Sequence, residues 1–168
     1  MTKLYNYSLK CSTQGLLWDF TMNNTMNDAI EMAKELVKVS NKTKKAGNMQ
    51  FSSLSHVLKH VKSEEFWNAG FGKAFAAVGV TDPSLLTPAW FLNNLSSKCK
   101  KERNGKLMLC VWGLKTRKDE DGVPILDRTG NPIKDPVPRI VSSWSPNTIL
   151  KLLAQSQAFR AQEANKVP

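Results

Sequence analysis

Residues 87 to 118 read TPAWFLNNLSSKCKKERNGKLMLCVWGLKTRK, and the order of apolar, basic and turn-forming residues in that stretch decides the architecture. Thr87-Pro88 opens a helix, because proline at the first helical position lacks only an N–H that would have no partner there. Phe91, Leu92, Leu95 and Cys99 fall on one side of this helix; Asn94, Ser97, Lys98 and Lys101 fall mostly on the other, with Asn93 and Lys100 at the margin. Asn104-Gly105 ends the helix or turns the chain into Leu107 to Leu114, a nearly all-apolar run that reads as a strand. A long polar loop follows, and Arg139 to Trp144 returns as the partner strand. The expectation is a helix whose basic end feeds a two-stranded ribbon.

The 168 residues are 41% apolar, enough for one domain of ordinary size with a real core, and the net charge is +10. That charge is clustered. Residues 41 to 62 hold five lysines and no acid, and residues 98 to 118 hold eight Lys or Arg against Glu102 alone. Clustered cations create a local field that attracts phosphates, which scattered ones do not. The alternative, solvated surface charge, predicts no such partner.

Outward from the central stretch, Leu4 to Lys10 and Leu16 to Met22 alternate and read as an antiparallel hairpin. Thr25, with Asp28 in the capping-box position, starts a helix carrying Met26, Ala29, Ile30, Ala33, Leu36 and Val37 on one face. Residues 1 to 40 thus form a β-β-α scaffold unit. Residues 41 to 51 read as a basic loop or linker bearing Lys42, Lys44 and Lys45. Residues 52 to 163 carry helices over Leu54 to Val61 and, after a break at Ser63, over Phe66 to Val78 with Gly79 as C-cap. The long loop 115 to 138 contains Pro124, Pro132, Pro136 and Pro138, which exclude a continuous strand, and Asp127-Arg128-Thr129-Gly130 is a small hairpin tip. Ser145-Pro146 starts a last helix with Ile149, Leu150, Leu152, Leu153 and Phe159 as its apolar residues. No internal repeat is evident. The fold class is α+β, and the alternative to this division is one compact domain overall.

The order helix, helix, helix, strand, long loop, strand over residues 52 to 144 resembles a winged helix-turn-helix in architecture. The resemblance implies that the helix from Pro88 enters a major groove, with Asn93, Asn94, Ser97 and Lys98 nearest the bases. It also implies backbone contacts from Lys115, Arg117 and Lys118 on the wing.

Other chemistries find little support. His56 and His60, with Glu64 four residues on, lack the further ligand a metal needs and straddle the break at Ser63. Asp119-Glu120-Asp121-Gly122 resembles a calcium loop, but aligning Gly122 with its glycine puts Arg117 at the first ligand position. The glycines match neither a P-loop nor a dinucleotide fingerprint. Trp67, Trp112 and Trp144 read as core, and Trp90 lies away from the apolar side of its helix. Cys11, Cys99 and Cys110 are odd in number and irregular in spacing, which suits reduced thiols in the cytoplasm. Neither a signal peptide nor a membrane-spanning run is expected.

The expected function is therefore that of a non-catalytic, basic nucleic-acid-binding protein, DNA favoured, without cofactor or metal. Its contacts would be Lys42, Lys44, Lys45, Asn93, Asn94, Ser97, Lys98, Lys100, Lys101, Arg103, Lys106, Lys115, Arg117 and Lys118. The alternative is a protein-interaction module, a regulator or inhibitor that docks an acidic surface of a larger nucleoprotein assembly through the Pro-rich loop.

Overall fold

A computed structural model describes residues 25–38 and 41–165. The hairpin expected over residues 4 to 22 lies outside them. The elements in chain order are α1 (Met26–Leu36), α2 (Asn41–Gly47), α3 (Leu54–Lys62), α4 (Glu64–Phe66), a π-helical turn (Trp67–Phe71), α5 (Gly72–Ala77), a 3-10 turn (Pro83–Leu85), α6 (Pro88–Asn93), a second 3-10 turn (Ser97–Cys99), β1 (Lys100–Arg103), β2 (Lys106–Thr116), β3 (Lys134–Ile140) and α7 (Pro146–Asn165). The class is mixed helix and strand, with a three-stranded antiparallel sheet in the order β1-β2-β3.

Several local signals act as their chemistry dictates. Thr25 Oγ1 accepts from Asp28 N–H (3.2 Å) while Thr25 N–H donates to the Asp28 carboxylate (3.1 Å), closing the capping box on α1. Ser63 both ends α3, donating to His60 O, and caps α4, accepting from Phe66 N–H. Thr87 Oγ1 caps α6 through Trp90 N–H. Residues 41 to 47, expected as a loop, are the helix α2.

The larger corrections concern the central stretch. The helix from Pro88 ends at Asn93, and Lys100–Arg103 is a strand rather than the continuation of that helix. Asn104 (φ 54) and Gly105 (φ 77) both take positive φ, which is the two-residue turn whose twist matches paired strands. The chain therefore reverses there and pairs Arg103 with Lys106 through to Lys100 with Leu109. The ribbon thus has three strands, not two, and the continuous recognition helix expected to run from Pro88 toward Asn104-Gly105 does not form.

The return strand is Lys134–Ile140, displaced toward the prolines from the expected Arg139 to Trp144. Backbone groups of alternate residues in a strand point to opposite edges. Val141 N–H reaches Leu109 O (2.8 Å), so odd-numbered residues of this segment face β2. Pro136 and Pro138 therefore turn their nitrogens to the outer edge, where no ladder bond is lost.

Loop 117 to 133 hides an internal repeat. Residues 119 to 126 read DEDGVPIL and residues 127 to 134 read DRTGNPIK, sharing Asp, Gly, Pro and Ile at a spacing of eight. Each Asp Oδ1 accepts two backbone N–H groups of its own turn: Asp121 and Val123 for Asp119, Thr129 and Asn131 for Asp127. Each Gly follows with positive φ, 81° at Gly122 and 87° at Gly130. Arg117, Ile125 and Ile133, also eight apart, bond in a closed ring. Ile125 N–H donates to Arg117 O (2.9 Å), Ile133 N–H to Ile125 O (2.9 Å), and Arg117 N–H to Ile133 O (2.8 Å). The expected tip at Asp127 to Gly130 is present, as one of two equivalent turns on a triangular wing.

The core runs through every layer, with Ile30, Val57, Leu58, Phe71, Phe75, Phe91 and Phe159 almost completely buried. The α7 helix lies at its centre. Ile149, Leu150, Leu152, Leu153 and Phe159 are buried as expected, but so are Gln155, Ser156 and Gln162. These polar side chains bond the backbone of distant segments: Gln155 to Trp112, Ser156 to Ser96 and Gln162 to Thr25. A buried polar group is tolerated only when so paired. Among the described residues no helix is long and apolar enough to cross a membrane.

Candidate nucleic-acid interface

From Lys101 through Leu107 every residue is exposed, so the β1–β2 hairpin projects from the body as a finger. Directly opposed residues in an antiparallel pair share a face, and successive residues alternate. The register therefore puts Lys101, Arg103 and Lys106 on one face with Met108, and Lys100, Glu102, Leu107 and Leu109 on the other. One face thus carries three cations and no carboxylate. Among the described residues the ion pairs are Lys34–Glu31, Lys38–Glu35 and Arg117–Asp135, and none involves the finger. The two-residue turn leaves little slack, and Trp112 Nε1 donates to Lys98 O (2.9 Å) at the base. The finger is consequently short, stiff and positively charged.

The other expected contacts are dispersed. Asn94 caps the end of α6 and spends its Nδ2 on Trp90 O (2.8 Å), while Asn93 and Ser97 are exposed outside any shared helix face. Lys98 is half-buried in the 3-10 turn. Lys115 and Lys118 are exposed at the other end of β2. Ten residue steps along a strand are ~33 Å, so the wing and the fingertip stand far apart. Arg117 is committed to Asp135 through two hydrogen bonds of 3.1 and 2.6 Å, which raises its pKa and holds the Asp135 carboxyl below the usual aspartate range.

Lys44 and Lys45 are exposed on the last turn of α2, the helix that also contains Lys42. Asn48, just past α2, accepts from Asn147 Nδ2 (3.0 Å) at the start of α7, whereas Ser96 N–H donates to Ser156 Oγ (2.9 Å). The interval from Asn147 to Ser156 is about two and a half helical turns. The two basic segments therefore approach α7 from opposite sides, and these contacts do not draw them into one patch.

His56 Nδ1 is 2.9 Å from Ser52 Oγ, and the His60 ring lies between Phe51 and Phe66, with centroids at 4.8 and 4.3 Å. Trp67, Trp90, Trp112 and Trp144 are all half-buried against the core. The hairpin was legible only as the dipeptide Asn104-Gly105, and the repeat only as a spacing of eight. No known protein family, curated protein or solved structure matches this chain.

Proposed function

We propose that this chain is a nucleic-acid-binding protein, duplex DNA foremost, that acts without chemistry through the β1–β2 finger. The observation that carries the reading is the projecting hairpin with Lys101, Arg103 and Lys106 on one acid-free, unpaired face. A two-stranded ribbon fits the major groove of B-form DNA, so the contact passes from a helix to strands. The cations then neutralise phosphates at the groove edge.

Three phosphate contacts on duplex DNA give a logarithmic salt slope of about −2.7. Fluorescence anisotropy with labelled duplex and single-stranded oligonucleotides at a series of salt concentrations measures it. The double variant R103Q/K106Q should weaken binding and reduce the slope by about 1.8. No binding at low salt would remove the proposal, and an unchanged slope in the variant would move the interface elsewhere.

A second reading is motivated by the wing, where Val123 and Leu126 are 54% and 55% exposed. Exposed apolar groups on a rigid support suit a protein partner. Under that reading V123S/L126S loses the partner and leaves oligonucleotide binding intact.

A further inference from the structure

Where β3 gives way to α7, a small cleft of about 170 Å³ is lined by Arg139, Ser142, Ser143, Thr148 and Lys151 around Val111. Pockets for drug-sized ligands run to roughly 300–1,000 Å³, so this one admits a group of only a few heavy atoms. Its lining contains two cations, three hydroxyls and no carboxylate. From Pro136 through Gln162 the chain carries Arg139, Lys151 and Arg160 and no acid at all.

The donors are held open. Val141 N–H is bound by Leu109 O (2.8 Å) and Trp144 N–H by Phe51 O (3.3 Å), so the segment between them is pinned at both ends. Ser142 and Ser143 between these anchors use neither backbone N–H nor hydroxyl in any hydrogen bond among the described residues. Thr148 Oγ1 sits 2.9 Å from Ser145 Oγ, which places it in the first turn of the 20-residue α7, at the positive end of that helix. Exposed donors on a segment anchored at both ends, beside two exposed cations, suit a tetrahedral oxyanion.

We propose that this cleft binds a phosphate group, with Arg139 and Lys151 supplying charge and Ser142 and Ser143 donating to its oxygens. The site stands independently of the finger and would bind phosphate whether or not the finger engages nucleic acid. The phosphate belongs either to a nucleic-acid backbone or to a free phosphorylated molecule, which share this chemistry.

The test is a titration of the ¹⁵N-labelled full chain with inorganic phosphate, against chloride at matched ionic strength, followed by amide shifts. Saturable shifts of Ser142, Ser143 and Thr148 with phosphate alone are expected, and R139Q/K151Q should weaken them roughly tenfold or more. Adding a short oligonucleotide then separates the sources. Displacement of phosphate assigns the site to a backbone phosphodiester, and retention assigns it to a free phosphorylated molecule. Absence of a saturable response in the wild-type chain, or an equal response to chloride, overturns the proposal. Because oligonucleotide binding is read separately through R103Q/K106Q, failure of the finger and failure of this cleft are distinguishable.

Discussion

The carboxamide of Gln155 takes both backbone groups of Trp112: its Oε1 accepts the N–H (2.9 Å) and its Nε2 donates to the carbonyl (2.7 Å). Trp112 lies opposite Pro138 in a pair that exchanges no hydrogen bonds, so its backbone groups point away from β3, toward the edge where β1 stops short opposite Leu109. One side chain of α7 therefore replaces the missing strand at that point. Replacing it with Leu leaves a partly buried donor and acceptor without partners, so Q155L should cost about 2–4 kcal/mol. Urea denaturation of the full chain measures the loss, and a change under about 1 kcal/mol would mean that water satisfies both groups equally well.

The turn of the finger depends on Gly105 at φ 77. An L-residue pays about 1–2 kcal/mol in that conformation, so G105A should destabilise by about that amount. No charge is removed, yet oligonucleotide affinity should fall as the strands of the finger splay. Affinity unchanged alongside a measurable stability loss would show that the cations act without the stiff support.

Acid should loosen the base of the wing first. The Asp135 carboxyl is held below the ordinary aspartate value by Arg117, and that of Asp127 by hydrogen bonds from Thr129 and Asn131. A depressed folded pKa contributes stability that is present above the unfolded value of about 3.9 and lost as pH falls through the folded one. Carboxyl titration by NMR should place both groups below that value, and amide exchange at Arg117, Ile125 and Ile133 should accelerate only under pH ~4. Acceleration already near neutrality would exclude this cause. Both carboxyls are exposed, so the effect is local and salt-sensitive.

Cys99 is buried, and burial pushes its thiol up to about 11, with the Ser156 hydroxyl opposing. Only a thiolate attacks alkylating reagents readily. At pH 8 the native chain should leave Cys99 unmodified, and denaturant should expose it. Peptide mapping after brief iodoacetamide treatment reads this residue alone, and modification at the native rate of an exposed thiol would contradict the packing.

The helix caps at Thr25, Ser63 and Thr87 were legible because each depends on residues within three positions of one another. The burial of Ile149 to Phe159 was legible from apolar spacing. The repeat of Asp, Gly, Pro and Ile at an interval of eight was also there to be read, yet it matches neither helical nor strand periodicity, and its prolines argued for irregular loop. Nothing local shows that Arg117, Ile125 and Ile133 close a ring, since each needs its partners from other turns.

The amino-acid order by itself determined that the excess charge is clustered, where helices α1, α3, α6 and α7 begin, and that a core exists. Tertiary structure alone decided that Lys100 to Arg103 is a strand. A basic segment of four residues has weak intrinsic preference, and pairing with β2 across Asn104-Gly105 outweighs it. Tertiary structure also decided that Arg117 is consumed by Asp135 and that the two lysine-rich segments meet α7 on opposite sides. Charge is a property of single residues and can be summed along a chain, but a surface is a relation between residues remote in sequence, set by the packing that brings their backbones together.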